Sequence, residues 1–147
     1  LNVTIFPGIH APTMGLVTTK IADSRDNYIM QPGQVGCLLS HYMLWQMLAF
    51  LPHDEIIIIE DDAVFCADFA AKFDALYRKL PADWQFAYIG HCSAGGIYGV
   101  GETKYEAGTH AYLVKRSTLE ILLATNQEMR THCDIQICQN SMMGKEI

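Results

Sequence analysis

The sequence predicts an α/β domain in which helices pack on both faces of a mainly parallel sheet. Three observations carry that reading. Segments of helical and of strand character alternate along the chain, the strand candidates are apolar without polar alternation, and Pro and Gly separate one segment from the next. With 147 residues, half of them hydrophobic and 18% charged, and a mean hydropathy of +0.11, the chain is expected to form one domain over residues 1–147 with a substantial core.

Residues 1–33 are dotted with Pro7-Gly8, Pro12, Gly15 and Pro32-Gly33, and are expected to be loop apart from one short strand near Val3 to Phe6. Pro32-Gly33 introduces a helix over Gln34 to Phe50, apolar nearly all round and stopped by Pro52, which belongs in the interior. Glu55-Ile56-Ile57-Ile58-Ile59 is a β-branched run, the mark of a strand covered on both faces. Asp68 is the expected N-cap of an amphipathic helix reaching Leu80, with Phe69, Phe73, Leu76 and Leu80 on one stripe and Pro81 as its stop. Trp84 to Ile89 reads as a second buried strand. Five glycines between Gly90 and Gly101 imply a loop, with Tyr98 at its tip. Thr109 to Val114 is the third strand, Ser117-Thr118-Leu119-Glu120 a capping box opening a helix to Thr125, and a last helix is expected to begin near Asp134.

The formal net charge is −6, from 16 acidic against 10 basic residues, with no basic run. That excludes a nucleic-acid-binding surface as the main function and means that a phosphate-bearing partner would need a metal ion. Five cysteines form no CxxC pair and leave one over in any disulfide scheme, which points to a reducing, cytoplasmic compartment. The longest apolar segment, Val35 to Leu51, is interrupted by Ser40, His41 and Gln46 and reads as a buried helix, with a membrane span a poor second. The chain starts at Leu1 without a visible signal sequence, the start expected of a trimmed or incomplete chain.

Glu60-Asp61-Asp62 follows the isoleucine run directly. Three adjacent carboxylates repel one another, so a hard divalent cation is their natural neutraliser. Glu60 and Asp62 are two residues apart and share one side of an extended segment, which makes them the expected ligands of Mn²⁺ or Mg²⁺. The other reading is an exposed acidic loop that solvates the strand end. A metal-dependent phosphohydrolase would use the same carboxylates. A receiver domain is disfavoured, because Gly90-His91 stands where a second acidic strand end would be needed.

Four stretches in this order resemble the motifs of glycosyltransferase family 25: Gly33-Gln34-Val35-Gly36-Cys37-Leu38-Leu39-Ser40-His41 with Trp45, Ile57 to Ala63, Gly108 to Val114, and Asp134. The resemblance covers Gln31 to Gln136. The family includes bacterial lipooligosaccharide galactosyltransferases of lipopolysaccharide biosynthesis and collagen β-galactosyltransferases. It implies a GT-A-like fold with a Rossmann-like, mostly parallel sheet, and an inverting transfer of a hexose, galactose first, from a UDP-sugar donor to a saccharide or other hydroxyl acceptor. It also implies a divalent metal at Glu60 and Asp62, Asp61 free to touch the donor, and peripheral association with a membrane displaying the acceptor. The family's N-terminal strand with its basic segment is not found ahead of Leu1. By the same resemblance Asp134 is the candidate base that deprotonates the acceptor, with an N-cap of the last helix as the alternative. His110 is a candidate donor contact or third metal ligand, against a buried hydrogen-bonded histidine. His41 is expected to hydrogen-bond a neighbouring loop, with substrate contact second, and a zinc set of His91, Cys92, His132 and Cys133 has no known structural spacing. The rival class is a catalytically incomplete domain that binds a glycan or a partner without turnover.

Overall fold

The computed structural model describes residues 3–15, 19–20, 29–90 and 108–142. A 3-10 turn at Ala11–Met14 is followed by strands β1 (Thr19–Lys20) and β2 (Ile29–Met30), then helix α1 (Pro32–Leu48), strand β3 (Glu55–Ile59), helix α2 (Phe69–Tyr77), strands β4 (Phe86–Tyr88) and β5 (Ala111–Lys115), and helices α3 (Arg116–Thr125) and α4 (Cys133–Met142). The alternation of helix and strand is as expected, and the class is α/β. No strand forms over Val3 to Phe6. The glycine-rich loop, with Tyr98, His91 and Cys92, lies outside the described residues.

The sheet corrects the expectation of mostly parallel pairing. Its order is β3-β5-β4, and β5 runs antiparallel to both neighbours, with Ile58 opposite Tyr112 and Tyr88 opposite Tyr112. β3 and β4 are therefore parallel to each other, as a strand-helix-strand crossover through α2 requires, but β5 inserts between them. A run of β-branched residues reports burial and strand propensity. It carries no information on direction, and here the last strand in the chain takes the central place.

Register divides the sheet into two unlike faces. Ile56 and Ile58, Tyr112 and Val114, and Phe86 and Tyr88 share the face that joins Leu38, Trp45, Leu48, Leu119, Leu122 and Ile137 in the core. Each large side chain removed from water there contributes about 1.5–3 kcal/mol. The opposite face carries Glu55, Ile57 and Ile59, and Ile59 is 44% exposed, so the isoleucine run is covered on one face and half open on the other. The reason lies in β3's edge position and in α2, which contributes no fully buried residue. Phe65, ahead of α2, instead continues the half-exposed row Phe69, Phe73 and Tyr77 that the helix presents, with successive ring centroids 4.7, 5.8 and 6.0 Å apart. The Tyr77 hydroxyl bonds the Glu55 carboxylate and so ties the row to this face.

Local signals are corrected in three places. α1 begins two residues earlier than expected, with Gln34 accepting the Gln31 N–H at 2.8 Å, and it exposes Met43 and Met47 while burying Val35, Leu38, His41, Trp45 and Leu48. Asp68 stands at the start of α2 in the left-handed region (φ 58°) and makes no side-chain cap. Ser117 and Thr118 do not cap α3: both hydroxyls donate to the Gln85 side chain, at 3.2 and 2.9 Å, and pin the helix to the approach of β4. Gly36 on α1 is required by close packing, since a Cβ there would lie 2.5 Å from the Ile9 carbonyl oxygen. The same contact is fixed by Ser40, whose hydroxyl accepts the Ile9 N–H and donates to the Gly36 carbonyl, both at 2.7 Å.

Candidate functional site

Four segments far apart in sequence meet at one end of the sheet. The first turns of α1 bring Gly33, Gln34 and Cys37, the segment after β3 brings Glu60 and Asp62 to Val64, the approach to β5 brings Gly108, Thr109 and His110, and the start of α4 brings His132, Cys133 and Asp134. Together they line a cleft of about 540 Å³. Antiparallel pairing makes this meeting possible. The end of β3 lies beside the beginning of β5, so the Glu60 N–H donates to the His110 carbonyl at 2.8 Å and Thr109 reaches the Glu60 carboxylate. Parallel neighbours would place these residues at opposite ends of the sheet.

A chain of polar contacts runs from the core into the cleft. The Trp45 indole N–H donates to the Tyr112 hydroxyl at 2.8 Å, and that hydroxyl meets His41 Nδ1 at 2.9 Å. His41 Nε2 meets Glu60 Oε1 at 2.9 Å, and the Thr109 hydroxyl donates to the same oxygen at 2.6 Å. Trp45 and Tyr112 are fully buried and His41 is 5% exposed, so every one of these groups depends on its protein partner. Burial opposes a charge on His41, but hydrogen bonding to Cys37 and Glu60 and the nearby Glu60 carboxylate outweigh it and raise the imidazole to about 9. The same imidazole is the main cause holding the Glu60 carboxyl below its ordinary value, helped by Thr109 against partial burial. Burial pushes the Tyr88 and Tyr112 hydroxyls and the Cys133 thiol up, so all three stay neutral. At neutral pH the charge at the inner wall is thus an imidazolium-carboxylate pair, with both imidazole N–H groups donating.

Of the residues expected from sequence, Glu60, Asp62, His110 and Asp134 all line the cleft, while Asp61 is not among its lining residues. Asp134 lies within the first turn of α4 and is not its N-cap; its carboxylate reaches across to accept the Gly108 N–H at 2.8 Å, where Gly108 has φ 99°. Sequence reasoning did not single out Cys37, Thr109 or Gln34 as site residues, placed His132 only in a disfavoured zinc set, and gave His41 a hydrogen bond to a neighbouring loop with substrate contact second. Gln34 Nε2 and His132 Nε2 lie 2.9 Å apart across the cleft. The available signal was the spacing of Gln34, Cys37 and His41, which recur at helical intervals along one side of an otherwise apolar helix.

Among the described residues no helix is long and apolar enough to cross a membrane, and the four described cysteines are free thiols. The family described as Glycosyltransferase family 25 (LPS biosynthesis protein) matches residues 9–95, more than half of the chain. An α/β domain whose acidic strand end opens on a polar cleft is thus a glycosyltransferase-family domain, and the chain belongs to glycosyltransferase family 25. It is 35% identical to Procollagen galactosyltransferase 2 of Homo sapiens over 86% of this chain and 20% of that protein. It is 26% identical to Inactive glycosyltransferase 25 family member 3 of Homo sapiens, over 85% and 21%, and 26% identical to Procollagen galactosyltransferase 1 of Danio rerio, over 84% and 20%. The chain therefore spans about a fifth of the length of the curated relatives it matches. No solved structure matches it.

Proposed function

We propose that this chain carries the reaction centre of a hexosyltransferase that moves galactose from a UDP-sugar to a saccharide or other hydroxyl acceptor with inversion. The observation that carries the reading is the convergence of Glu60, Asp62, His110 and Asp134, from three separate segments, on one cleft. The galactosyltransferase names of two relatives support the choice of sugar. A GT-A-like arrangement is retained only in its coarse form, since the described sheet is antiparallel about β5.

The donor set suits a hard divalent ion, Mn²⁺ or Mg²⁺. Glu60 is kept ionised by its two hydrogen bonds, and Asp62 adds a second carboxylate on the cleft wall. Such an ion, when bound, supplies Lewis-acid stabilisation of the charge that grows on a departing nucleoside diphosphate. Glu60 and Asp62 would hold it, His110 contacts the donor, and the Asp134 carboxylate takes the proton of the acceptor hydroxyl; Asp61, which does not line the cleft, keeps no donor contact in this arrangement. The Gly108 N–H fixes the direction of the Asp134 carboxylate. We assign the protein to the cytoplasm, peripherally at a membrane that displays the acceptor, with a saccharide and no nucleic acid as partner; free thiols support a reducing compartment.

The relatives named inactive favour one second reading, binding of a glycan or partner without turnover. Calorimetric titration of UDP and UDP-galactose with and without Mn²⁺, on the wild type and on Asp62→Asn, tests the first. Metal-dependent UDP binding that Asp62→Asn abolishes is the expected result. Absence of UDP binding under every condition would refute it and leave the second.

A further inference from the structure

The cleft's inner wall holds a second donor set, which shares Glu60 with the carboxylate pair and adds sulfur and nitrogen to it. Cys37 and His41 stand one helical turn apart on α1, and Glu60 faces them from the end of β3. One donor atom from each, sulfur, nitrogen and oxygen, lies within 4.8 Å of the other two. Among the described residues this is the group of three that can hold a metal ion, and Asp61, Asp62, His132 and Cys133 do not belong to it.

We propose that Cys37, His41 and Glu60 bind a thiophilic divalent cation of the zinc class. A tetrahedral ion with bonds of about 2.0–2.3 Å needs its donors about 3.3–3.6 Å apart. His41 Nε2 and Glu60 Oε1 are 2.9 Å apart, so they open by a few tenths of an ångström, while the sulfur, within 4.8 Å of both, closes in by at most about 1.5 Å. The thiol's contact with the Thr109 hydroxyl is a long one of 3.9 Å, and its hydrogen bond to His41 lies within the set itself, so neither holds the sulfur away from the ion. The imidazole is already oriented as a ligand: Nδ1 is held by the Tyr112 hydroxyl, itself held by the Trp45 indole, which leaves Nε2 to face the set. Buried partners of this kind fix the ring and the tautomer of metal-binding histidines.

The charges also balance. His41 Nε2 meets the Glu60 carboxylate at 2.9 Å, and a divalent ion takes the place of the proton between them and of the proton on sulfur, both of which pass to water. It faces one thiolate and one carboxylate, so the wall ends neutral. Sulfur and imidazole ligands select a softer ion than Mn²⁺ or Mg²⁺. Because Cys37 and Glu60 line the cleft and His41 lies behind them, the fourth coordination position opens on the cleft and takes water. This inference goes beyond the sugar-transfer reading and stands without it, since its ligands are identified by geometry alone.

Titration of the full chain with Co²⁺, the spectroscopic substitute for Zn²⁺, is expected to produce a thiolate-to-cobalt charge-transfer band in the near ultraviolet, which excess Zn²⁺ bleaches. The band should vanish in Cys37→Ser and persist in Asp62→Asn. On unaltered protein, Zn²⁺ should slow the alkylation of Cys37 by iodoacetamide, read by mass spectrometry, while the exposed Cys66 reacts at its original rate. A band that survives Cys37→Ser, Cys37 alkylation that Zn²⁺ does not slow, or protection by Mn²⁺ equal to that by Zn²⁺ would overturn the assignment. Loss of UDP binding in Asp62→Asn reads the sugar-transfer site separately, so failure of either reading leaves the other measurable.

Discussion

Tyr112→Phe removes one oxygen from the middle of β5 and should be among the costliest single-atom changes in the protein. The Tyr112 hydroxyl accepts from the Trp45 indole at 2.8 Å and meets His41 Nδ1 at 2.9 Å, and Trp45 and Tyr112 are both 0% exposed. The phenyl ring keeps its volume and its stacking on Phe86, at 4.9 Å between centroids, so packing is conserved and the polar contacts alone are lost. Each buried donor left unpaired costs about 1–3 kcal/mol. Two of them put the loss at about 2–6 kcal/mol, a large share of the total stability of a domain. For a chain of this length the expected drop in Tm is about 5–20 °C. Urea denaturation of the wild type and the variant at pH 7, with the Trp45→Phe single and double variants closing a cycle, measures both the loss and a coupling of about 0.5–3 kcal/mol. A loss below about 0.5 kcal/mol, the level of an ordinary surface substitution, would refute the reasoning that this network is sealed from water.

The His41-Glu60 pair makes stability depend on pH in both directions. His41 is raised from 6.5 to about 9, so its contribution, of order 3 kcal/mol, is complete below pH 6.5 and is lost as pH rises towards 9. Glu60 is lowered, so its contribution is complete above its unfolded value near 4.5 and is lost as pH falls through its folded one. Urea midpoints should therefore peak between about pH 4.5 and 6.5, and Glu60→Gln should flatten the alkaline fall; an unchanged alkaline slope in that variant would remove Glu60 as the cause. Gly36→Ala sets a helix-propensity gain of about 1 kcal/mol against a clash with the Ile9 carbonyl oxygen costing about 1–3 kcal/mol. The clash should win and leave residues 3–15 cut faster by protease, whereas a more stable, equally resistant variant would mean that this segment does not rest on α1. Asp134→Asn should lower sugar transfer by about 100-fold or more with UDP affinity unchanged, and unaltered turnover would remove Asp134 as the base.

Several features of the site were legible in the sequence because they are local. An acidic triplet after four isoleucines marks a strand end whatever the sheet's topology, and period two along an extended segment separates Glu60 and Asp62 from Asp61. Helices α1, α2, α3 and α4 were placed within a few residues, since proline stops and apolar spacing are properties of the segment itself. Their caps were less legible. Ser117 and Thr118 read as a capping box, but Gln85, more than thirty residues away, offers them a better acceptor. The same holds for Asp134, whose carboxylate turns from its own helix to the Gly108 N–H.

The sequence by itself determined the alternation of elements, the place of the acidic strand end and the membership of glycosyltransferase family 25, all of which rest on residue types at short, fixed spacing. Only the tertiary structure decided the direction and order of the strands, because backbone pairing in either direction accepts the same apolar side chains. That choice then decided the site. Placing β5 antiparallel between β3 and β4 brings Thr109 and His110 to Glu60, carries Tyr112 under His41, and turns a cysteine and a histidine of an apolar helix towards a carboxylate that follows them in the chain by about twenty residues.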